Sequence, residues 1–404
     1  MNLVSMSAKE LKATLSLALV FFFRMLPLFM VLPVLSLSED NYMHATPQLL
    51  GLALGIYGLT QAALQIPFGT LSDRWGRKPI IVLGLVIFGV GSLIAATADS
   101  VYGLIIGRSL QGAGAVAAAI MALAADLTSE ESRTKAMACI GISIGAAFST
   151  AFILGPIVYT YIGIKGLFFL GACFSVIAII ILLIIVPNPE EKSQNISPLN
   201  FNELKSIFVN PSLIKLDISI FTSHLILMAN FVVIPITLRD SMQLAPIIHW
   251  QVYLSAIFLS LFIMVPLIIL GERLKKEKLF LILSILLIML SQVGLALFSI
   301  NIKITVIFLI LFFGAFNYLE ALLPSEVSKT THSNTKGTAL GVYSTSQFIG
   351  IFIGGLAGGF FYQQFSLISV HLFCLFLTIL WLLLMLFLSK SESLGKNELE
   401  EEAV

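Results

Sequence analysis

Residues 69–79 read GTLSDRWGRKP, a polar segment between two long apolar runs. The segment places Asp73, Arg74, Arg77 and Lys78 within six residues, in a chain that is 58% hydrophobic and only 11% charged. Its two glycines and closing proline predict a tight turn, and its three cations predict that the turn lies on the cytoplasmic side of a membrane. Two interpretations are open: a solvated loop that only sets topology, or one part of a moving gate.

The composition excludes an ordinary soluble domain. The mean hydropathy is +1.00, and soluble chains carry roughly 25% charged residues. A net charge of +1 gives no reason to expect a nucleic-acid partner. Cys139, Cys173 and Cys374 lie in apolar runs without metal-ligand spacing, so we interpret them as small buried hydrophobic residues. A nucleotide-binding G-x-x-x-x-G-K-[ST] loop is missing from the sequence, and neither a cofactor nor a metal site is predicted.

Apolar runs long enough to cross a bilayer recur along the whole chain, which predicts an all-α membrane protein. The twelve predicted spans are residues 13–37, 48–71, 79–98, 102–125, 137–160, 165–186, 214–238, 247–271, 279–299, 303–325, 337–361 and 366–389. Arg24 interrupts the first run, and no small-residue cleavage site follows it. That run is therefore interpreted as a retained helix rather than a signal peptide.

The longest polar break predicts a division into two halves. It runs from Pro187 to Pro211 and leaves six spans on each side. The predicted parts are an N-terminal six-helix bundle (1–186), a cytoplasmic linker (187–213), a C-terminal six-helix bundle (214–389) and an acidic cytoplasmic tail (390–404). The linker segment FNELKSIF carries its apolar residues on one helical face, which predicts a short helix on the membrane surface.

The distribution of Lys and Arg predicts the orientation in the membrane. Most of the 23 lie on the side of the termini: Lys9, Lys12, Arg74, Arg77, Lys78, Arg133, Lys135, Lys192, Lys205, Lys215, Arg273, Lys275, Lys276, Lys278, Lys329, Lys336, Lys390 and Lys396. The other side has Lys165, Arg239 and Lys303. This bias predicts that both termini are cytoplasmic.

The two halves also share short sequence patterns. PFGTLSDRWGRK, from Pro67, is echoed by PLIILGERLKKEK, from Pro266, and RTKAMA, from Arg133, is echoed by KGTALG, from Lys336. Proline, an acid–arginine pair and further cations stand at matching offsets in the first pair of segments. A duplicated six-helix unit is the pattern of a transporter built from two parallel halves.

Four ionisable side chains lie well inside predicted spans, where each needs a partner or a water-filled cavity. They are Arg24, Arg108, His224 and Glu320, on the first, fourth, seventh and tenth spans. This spacing is expected from a repeated three-helix unit in which one helix of each unit faces a central cavity. The sequence therefore predicts that these four residues line a substrate cavity.

Glu320 is the first candidate for a proton carrier, because a carboxyl group in apolar surroundings binds a proton more tightly than in water. His224 is the second candidate, with a neutral, hydrogen-bonded core histidine as the alternative. Arg24 could also be half of a structural ion pair. The first half has two buried arginines and no well-buried carboxylate, which favours a bound anion or a carboxylate that reaches over from Glu320. Asp217 and Glu326 lie near span ends, where snorkelling is cheap, and are discounted.

Several motifs resemble those of the major facilitator superfamily over essentially the whole chain. GTLSDRWGRKP is similar to the family signature between the second and third helices, RSLQGAGA to the signature on the fourth helix, and DLTSEESR to the matching loop after it. RMLPLFMVLP, GIYGLTQAALQIPFG, RTKAMACIG and KGTALGVYSTSQFIGIFIGG resemble the YajR-type branch of proton-driven efflux transporters. The resemblance implies two pseudo-symmetric six-helix bundles that work by alternating access, with Arg108 as the family's proton-linked arginine.

The resemblance also implies a cytoplasmic latch between the second and eleventh helices, closed while the cavity opens outward. Asp73 would cap helix termini and pair with Arg133, and Arg74 and Arg77 would bind Asp126 or carbonyl groups. Glycines on the eleventh helix would allow the close approach. The residues implied in the latch are Gly69, Asp73, Arg74, Gly76, Arg77, Asp126, Arg133, Gly337 and Gly341.

Two departures from the family pattern bear on function. The antiporter signature on the fifth helix has Gly-Pro followed two residues later by Gly-Gly, whereas Gly155 and Pro156 are followed here by IVYT. This departure weakens the case for drug antiport. The YajR type carries an extra soluble domain after its twelfth helix, and we expect that domain and its regulation to be absent.

The sequence thus predicts a proton-coupled secondary transporter of the inner membrane. Its expected partners are protons, a small-molecule substrate and the lipid bilayer, and its expected state is a monomer. Export of small organic molecules is the first expectation. Import of an anionic metabolite or metal chelate is the second, and a sensor that does not transport is the third. An enzyme is not expected, because no nucleophile–base pair or metal cluster stands out.

Overall fold

The computed structural model describes residues 6–188, 207–298, 301–331 and 335–401, with side chains up to residue 387. The helices are α1 Ala8–Met30, α2 Pro47–Trp75, α3 Arg77–Thr97, α4 Val101–Ala113, α5 Ala117–Asp126, α6 Glu130–Ile184, α7 Pro211–Ile236, α8 His249–Leu274, α9 Glu277–Leu297, α10 Ile302–Thr330, α11 Lys336–Gln364 and α12 Leu367–Glu401. The predicted surface helix FNELKSIF lies outside these ranges except for Ile207 and Phe208, which are helical.

The described helices give twelve membrane crossings, in agreement with the hydropathy pattern. Eleven segments in this part of the chain are long and apolar enough to span a bilayer. α4 and α5 together form one of these segments. The 55-residue α6 makes two crossings, because Gly163 interrupts it with φ +68°. Glycine favours this left-handed conformation. Gly163 lies in the gap that the sequence predicts between the spans ending at residue 160 and beginning at residue 165.

The fourth crossing differs from the continuous helix predicted over residues 102–125, because α4 ends at Ala113 and α5 begins at Ala117. Glycine is required at the break, since a Cβ on Gly114 would lie 2.3 Å from the carbonyl oxygen of Gly84 in α3. The Gly114 carbonyl accepts a short-range bond from the N–H of Val116 at 2.9 Å. Its second lone pair is therefore available to a side chain.

The first and last helices also differ in length from the prediction. α1 ends at Met30 instead of continuing to residue 37, because Pro33 has no N–H to extend the helix ladder. α12 continues to Glu401, so residues 390–401 of the predicted tail are helical and continuous with the last crossing. This segment is rich in Leu, Lys and Glu, which are good helix formers.

The helices pack as two groups. In the N-terminal group, α1 packs against α6, and α3 packs against α4 and α6. In the C-terminal group, α7 packs against α11, α8 against α10, and α9 against α10 and α12. Large apolar side chains cover the outer surface, among them Phe262 (69% exposed) and Ile184 (76% exposed). Such a surface suits lipid tails, which offer no hydrogen bonds.

The two groups touch where α2 crosses α11. A Cβ on Gly51 would lie 2.3 Å from the carbonyl oxygen of Gly355, and a Cβ on Gly55 would lie 2.7 Å from that of Phe352. Because no side chain separates the two backbones, the helices approach as closely as helices can.

This contact lies away from the loop of residues 69–79. We call the end of the molecule that holds this loop the basic end, and the opposite end the far end. At the far end the N–H of Gln48 donates to Oε1 of Gln363 at 3.1 Å, and Arg239 donates to the carbonyl oxygen of Leu37 at 3.4 Å. Both hydrogen bonds join the N-terminal group to the C-terminal group.

An aromatic cluster also joins the groups in the half nearer the far end. The ring of Phe152 on α6 lies 5.1 Å from that of Phe231 on α7 and 5.2 Å from that of Tyr253 on α8. Toward the basic end the two groups lie apart. A Cβ on Gly337 or Gly341 of α11 would meet no atom of the described residues within 4 Å. The two groups are therefore closed against each other at the far end and separated at the basic end.

We expect Gly55→Val to destabilise the arrangement that is closed at the far end, because its side chain would push against the backbone of Phe352. Overpacking of this kind costs about 1–3 kcal/mol. The measurement is the thiol-labelling rate of a Gln48→Cys reporter in a chain without its native cysteines, which should rise about fivefold or more. Gly341→Val, which meets no neighbour here, is the control. Equal labelling rates in the Gly55→Val variant and its parent would contradict the conclusion that the contact between α2 and α11 closes the far end.

Candidate functional site

Arg24 of α1 is completely buried within the N-terminal group, with 0% of its surface exposed. One terminal guanidinium nitrogen donates to Oε1 of Gln61 on α2 at 3.0 Å and to the carbonyl oxygen of Gly114 at 3.1 Å. The ring of Phe88 on α3 lies 5.6 Å from the guanidinium carbon, within range of a cation–π interaction. The break between α4 and α5 thus supplies one of the oxygen acceptors for a buried cation.

Arg108 of α4 is also 0% exposed. Its Nε donates to the carbonyl oxygen of Ala53 at 3.0 Å, and one terminal nitrogen donates to that of Leu54 at 3.3 Å. The other terminal nitrogen donates to Oε1 of Gln111 at 2.7 Å. The ring of Tyr57 lies 4.6 Å from the guanidinium carbon. Arg108 therefore fixes α4 to α2 through neutral acceptors.

Arg24 and Arg108 do not lie at an open cavity in this conformation, so their place at a substrate cavity stays a prediction. Both guanidinium groups are enclosed by α2, α3 and the fourth crossing, and no salt bridge to a described carboxylate involves either of them. The carboxylate expected to reach over from Glu320 instead faces a histidine. The two arginines organise the interior of the N-terminal group.

Glu320 and His224 lie side by side in the C-terminal group. Oε1 of Glu320 on α10 is 3.6 Å from Nε2 of His224 on α7. The His224 side chain is 6% exposed, whereas that of Glu320 is 37% exposed. The sequence indicates each residue as a proton site but gives no reason to place them in contact. Together they form a carboxyl–imidazole pair that could share a proton.

Sequence reasoning missed two side chains of this cluster and discounted a third. Gln347 on α11 lies 2.8 Å from Nε2 of His224. Tyr343, one turn earlier on α11, lies within electrostatic range of both Glu320 and Asp217. The signal that could have found them is the four-residue spacing of Tyr343 and Gln347, which places both on one helical face.

The loop between α2 and α3 forms an ion-pair network within the N-terminal group. Arg77 Nε donates to Oδ2 of Asp126 at 2.9 Å, which is one of the alternatives that the resemblance implied for Arg74 and Arg77. Arg77 also pairs with Asp73 and donates to Oγ of Ser72 at 2.9 Å. Gly76, with φ +93°, makes the turn that brings these groups together.

The pair expected between Asp73 and Arg133 is not formed in this conformation. The partner of Asp73 is Arg77, four residues further along the chain, and residues at this spacing lie close together. Arg133 at the start of α6 is half-buried, and its Nε has no hydrogen-bond partner within the ranges that the structure describes.

The other residues of the expected latch lie apart. Arg74 is exposed, and a Cβ on Gly69 would meet only Ala118, at 3.7 Å, within its own group. Gly337 and Gly341 on α11 face open space. The latch therefore stays a prediction for a second conformation that is closed at the basic end.

Comparison with known proteins agrees with this architecture. The family model described as Major Facilitator Superfamily matches residues 17–319 and 216–404. The chain is 44% identical over 383 residues to the inner membrane transport protein YajR of Escherichia coli (strain K12), covering 95% of this chain and 84% of that protein. It is 36% identical over 351 residues to an uncharacterized transporter of Buchnera aphidicola subsp. Acyrthosiphon pisum, covering 86% of this chain and 90% of that one.

A solved structure shows the same fold. It is the inward-facing, occupied form of a bacterial homolog of the human lysosomal transporter Spinster. The TM-score is 0.74 at 13% sequence identity, with 94% of this chain and 96% of that chain covered.

Two helix groups that meet at one end of a membrane-spanning bundle and separate at the other define a secondary transporter. The chain belongs to the major facilitator superfamily, as the family match over both halves and the 44% identity show. It is a multi-pass protein of the inner membrane.

We expect Gln61→Leu to destabilise the protein more than the double change Arg24→Met with Gln61→Leu. The single variant leaves a buried cation short of one acceptor, which costs about 1.5–3 kcal/mol for a hydrogen bond to a charged group. The double variant removes the cation as well and so avoids most of that cost. The measurement is the thermal unfolding midpoint in detergent, which should fall by several degrees for the single variant.

Gln65→Leu, one helical turn from Gln61, is the matched control, because its Oε1 makes no hydrogen bond in the structure. A double variant that is less stable than Gln61→Leu alone would show that Arg24 is stabilised without Gln61.

Proposed function

We propose that the protein is a proton-coupled secondary transporter that exports small organic molecules by alternating access. The contact between His224 and Glu320 carries the proposal, because ionisable pairs inside transmembrane bundles mark proton and ion pathways. The His224 side chain is buried, whereas 37% of the Glu320 side chain is exposed, so the pair lies at the edge of solvent-accessible space. The export direction rests on the resemblance of the sequence to the proton-driven efflux branch.

The proposal assigns the basic end to the cytoplasm, together with both termini, because Lys and Arg concentrate there. The present conformation is then open to the cytoplasm and closed to the periplasm. Alternating access requires a second conformation in which the bundles 1–186 and 214–389 close at the basic end. Both bundles belong to one chain, so a monomer is sufficient.

We expect Glu320→Gln to abolish transport that is driven by a pH gradient but to leave the exchange of substrate across the membrane. The amide cannot release a proton, whereas substrate can still move with the alternating conformations. The measurement is the flux of a radiolabelled substrate panel in inverted and right-side-out vesicles, with and without a pH gradient. Glu326→Gln is the control, since this residue pairs with Lys329 at 2.7 Å near the end of the same helix.

The same experiment has two contrary outcomes. If Glu320→Gln vesicles still concentrate substrate normally, the proton site lies elsewhere. If wild-type vesicles show no gradient-dependent flux in either orientation, the protein is better described as a sensor on a transporter fold.

A second candidate function is proton-coupled import of an anionic metabolite or metal chelate. The observation that favours it is the pair of buried cations, Arg24 and Arg108, which are held only by neutral acceptors among the described residues. An anion entering the space between the groups would experience the field of both charges. Gradient-driven uptake of carboxylates in right-side-out vesicles, with no export of neutral or cationic compounds, would favour import.

We expect Asp73→Asn to leave the protein folded but to impair transport by destabilising the conformation closed at the basic end. In that conformation the carboxylate would face the amino end of α11 near Gly337, an interaction worth about 0.3–1 kcal/mol, or up to about 2 when partly buried. The measurement is thiol labelling of a Gly341→Cys reporter, which should increase in the variant. Glu131→Gln, exposed at the start of α6, is the control. Unchanged labelling would mean that the loop only sets topology.

A further inference from the structure

We infer that Gln347 is a positioning residue that holds the proton site in its unprotonated arrangement and links proton arrival to the movement of α11. The inference rests on the proposed function and names a component of the same site. It depends on three contacts of one imidazole ring, which together specify where the hydrogen atoms lie.

The first contact fixes the tautomer of His224. Its Nδ1 lies 3.2 Å from the backbone carbonyl oxygen of Ile220, one turn earlier on α7. A carbonyl oxygen can only accept, so Nδ1 carries the hydrogen atom. In the neutral ring, Nε2 is then the nitrogen with the free lone pair.

The second contact occupies that lone pair. The side-chain amide nitrogen of Gln347 lies 2.8 Å from Nε2. An amide N–H donates to a bare imidazole nitrogen, and this arrangement suits the neutral ring alone. If Nε2 of His224 were protonated, its hydrogen atom and an amide hydrogen of Gln347 would both lie between these two nitrogens and repel each other.

The third contact is incomplete. Oε1 of Glu320 lies 3.6 Å from the same Nε2, beyond hydrogen-bond distance. This oxygen is buried and has no hydrogen-bond partner in the described part of the chain. Two side chains therefore compete for one nitrogen, and in this conformation Gln347 occupies it.

The competition does not depend on which residue carries the proton. A protonated Glu320 would donate to Nε2, and a protonated His224 would donate from Nε2 to the Glu320 carboxylate. In both cases the shared proton lies between Oε1 and Nε2, and the amide hydrogen of Gln347 must leave that nitrogen. Proton arrival therefore breaks the hydrogen bond between α7 and α11.

The position of Gln347 along α11 gives this break a mechanical consequence. Three residues further on, a Cβ on Gly350 would lie 2.3 Å from the carbonyl oxygen of Phe221, so α11 is tightly packed against α7 there. Six residues before Gln347, Gly341 faces open space. Gln347 thus lies at the boundary between the packed and the unpacked parts of α11, where the loss of one contact frees the unpacked part.

Other titratable groups near the cluster are Asp217 on α7 and Tyr343 on α11, and Tyr343 interacts electrostatically with Glu320 and Asp217. α12 packs against another side of α7 and contributes the indole of Trp381, which donates to Oγ of Ser219 at 3.1 Å and does not titrate. The hydrogen bond to His224 that responds to protonation is therefore the one from Gln347.

The direct test is the ¹⁵N spectrum of the histidine rings in the purified protein, with the His224 signals assigned by their loss in His224→Gln. In the wild type at about pH 8, where histidine is largely neutral, the hydrogen should lie on Nδ1. In Gln347→Met the fraction with hydrogen on Nε2 should rise about threefold or more. In Gln347→Glu, which keeps the shape of the side chain but accepts instead of donating, hydrogen on Nε2 should predominate. If Gln347→Met does not fold, Gln347→Glu still tests the inference.

Thr345→Val is the matched control on α11, because the Thr345 hydroxyl bonds only to the carbonyl oxygen of Gly341 at 2.9 Å. The control should keep the wild-type ring spectrum. In vesicles, the pH of half-maximal gradient-driven flux should move upward by about half a unit in Gln347→Met, which is about a threefold change in proton binding. The Thr345→Val profile should not move.

A wild-type ring with its hydrogen on Nε2, or a Gln347→Met spectrum that equals the wild type, overturns the positioning role. Altered tautomers with an unmoved flux profile overturn the link to proton coupling. Wild-type vesicles without gradient-driven flux overturn the proposed function itself. The ring spectra then still show whether Gln347 sets the tautomer, so the two failures are distinguishable.

Discussion

A polar group carried into a bilayer must find its partner within the protein, because lipid tails offer none. The N-terminal group meets most of this constraint with oxygen atoms that carry no charge, although Nε of Arg24 has no hydrogen-bond partner among the described residues. Arg24 is held by an amide oxygen and by the carbonyl freed at Gly114, and Arg108 is held by helix carbonyls and by Gln111. The break between α4 and α5 and the close approach of α3 to that break follow from this requirement. The C-terminal group leaves one oxygen of Glu320 without a partner.

The two halves thus handle charge in different ways. An arginine keeps its proton at any physiological pH, so the interior electrostatics of the N-terminal group are constant. A carboxyl group and an imidazole can exchange protons, so those of the C-terminal group can change. α11 belongs to the second half but packs its glycines against α2 of the first. A change at the titratable site can therefore act on the junction through one helix, without any change inside the N-terminal half.

Hydropathy and charge patterns predicted the number of crossings, the break near residue 163 and the residues that carry buried charge. The family resemblance implied Asp126 or carbonyl groups as partners of Arg74 and Arg77, and Arg77 pairs with Asp126 here. The patterns did not predict which partners hold the buried charges. The partners are glutamine side chains, which are neutral, and backbone carbonyls, which every residue has. A search of the sequence for ionisable residues therefore finds neither the carbonyls nor Gln61, Gln111 and Gln347. The break at Gly114 lies in an apolar segment and depends on the neighbouring α3. Asp73 pairs with Arg77 here, and its expected pairing with Arg133 stays a prediction for a conformation that is closed at the basic end.

The hydrogen bonds of Arg24 also constrain how the protein is made. An arginine at the centre of a single helix opposes insertion by about 2.5–3.5 kcal/mol. The partners of Arg24 are 37 and 90 residues further along the chain, so they emerge from the ribosome only after α1 is complete. The hydrogen bonds that offset this cost therefore become possible only once α2 and the fourth crossing have been synthesised. The first helix of the chain thus depends for its buried charge on residues that are made after it.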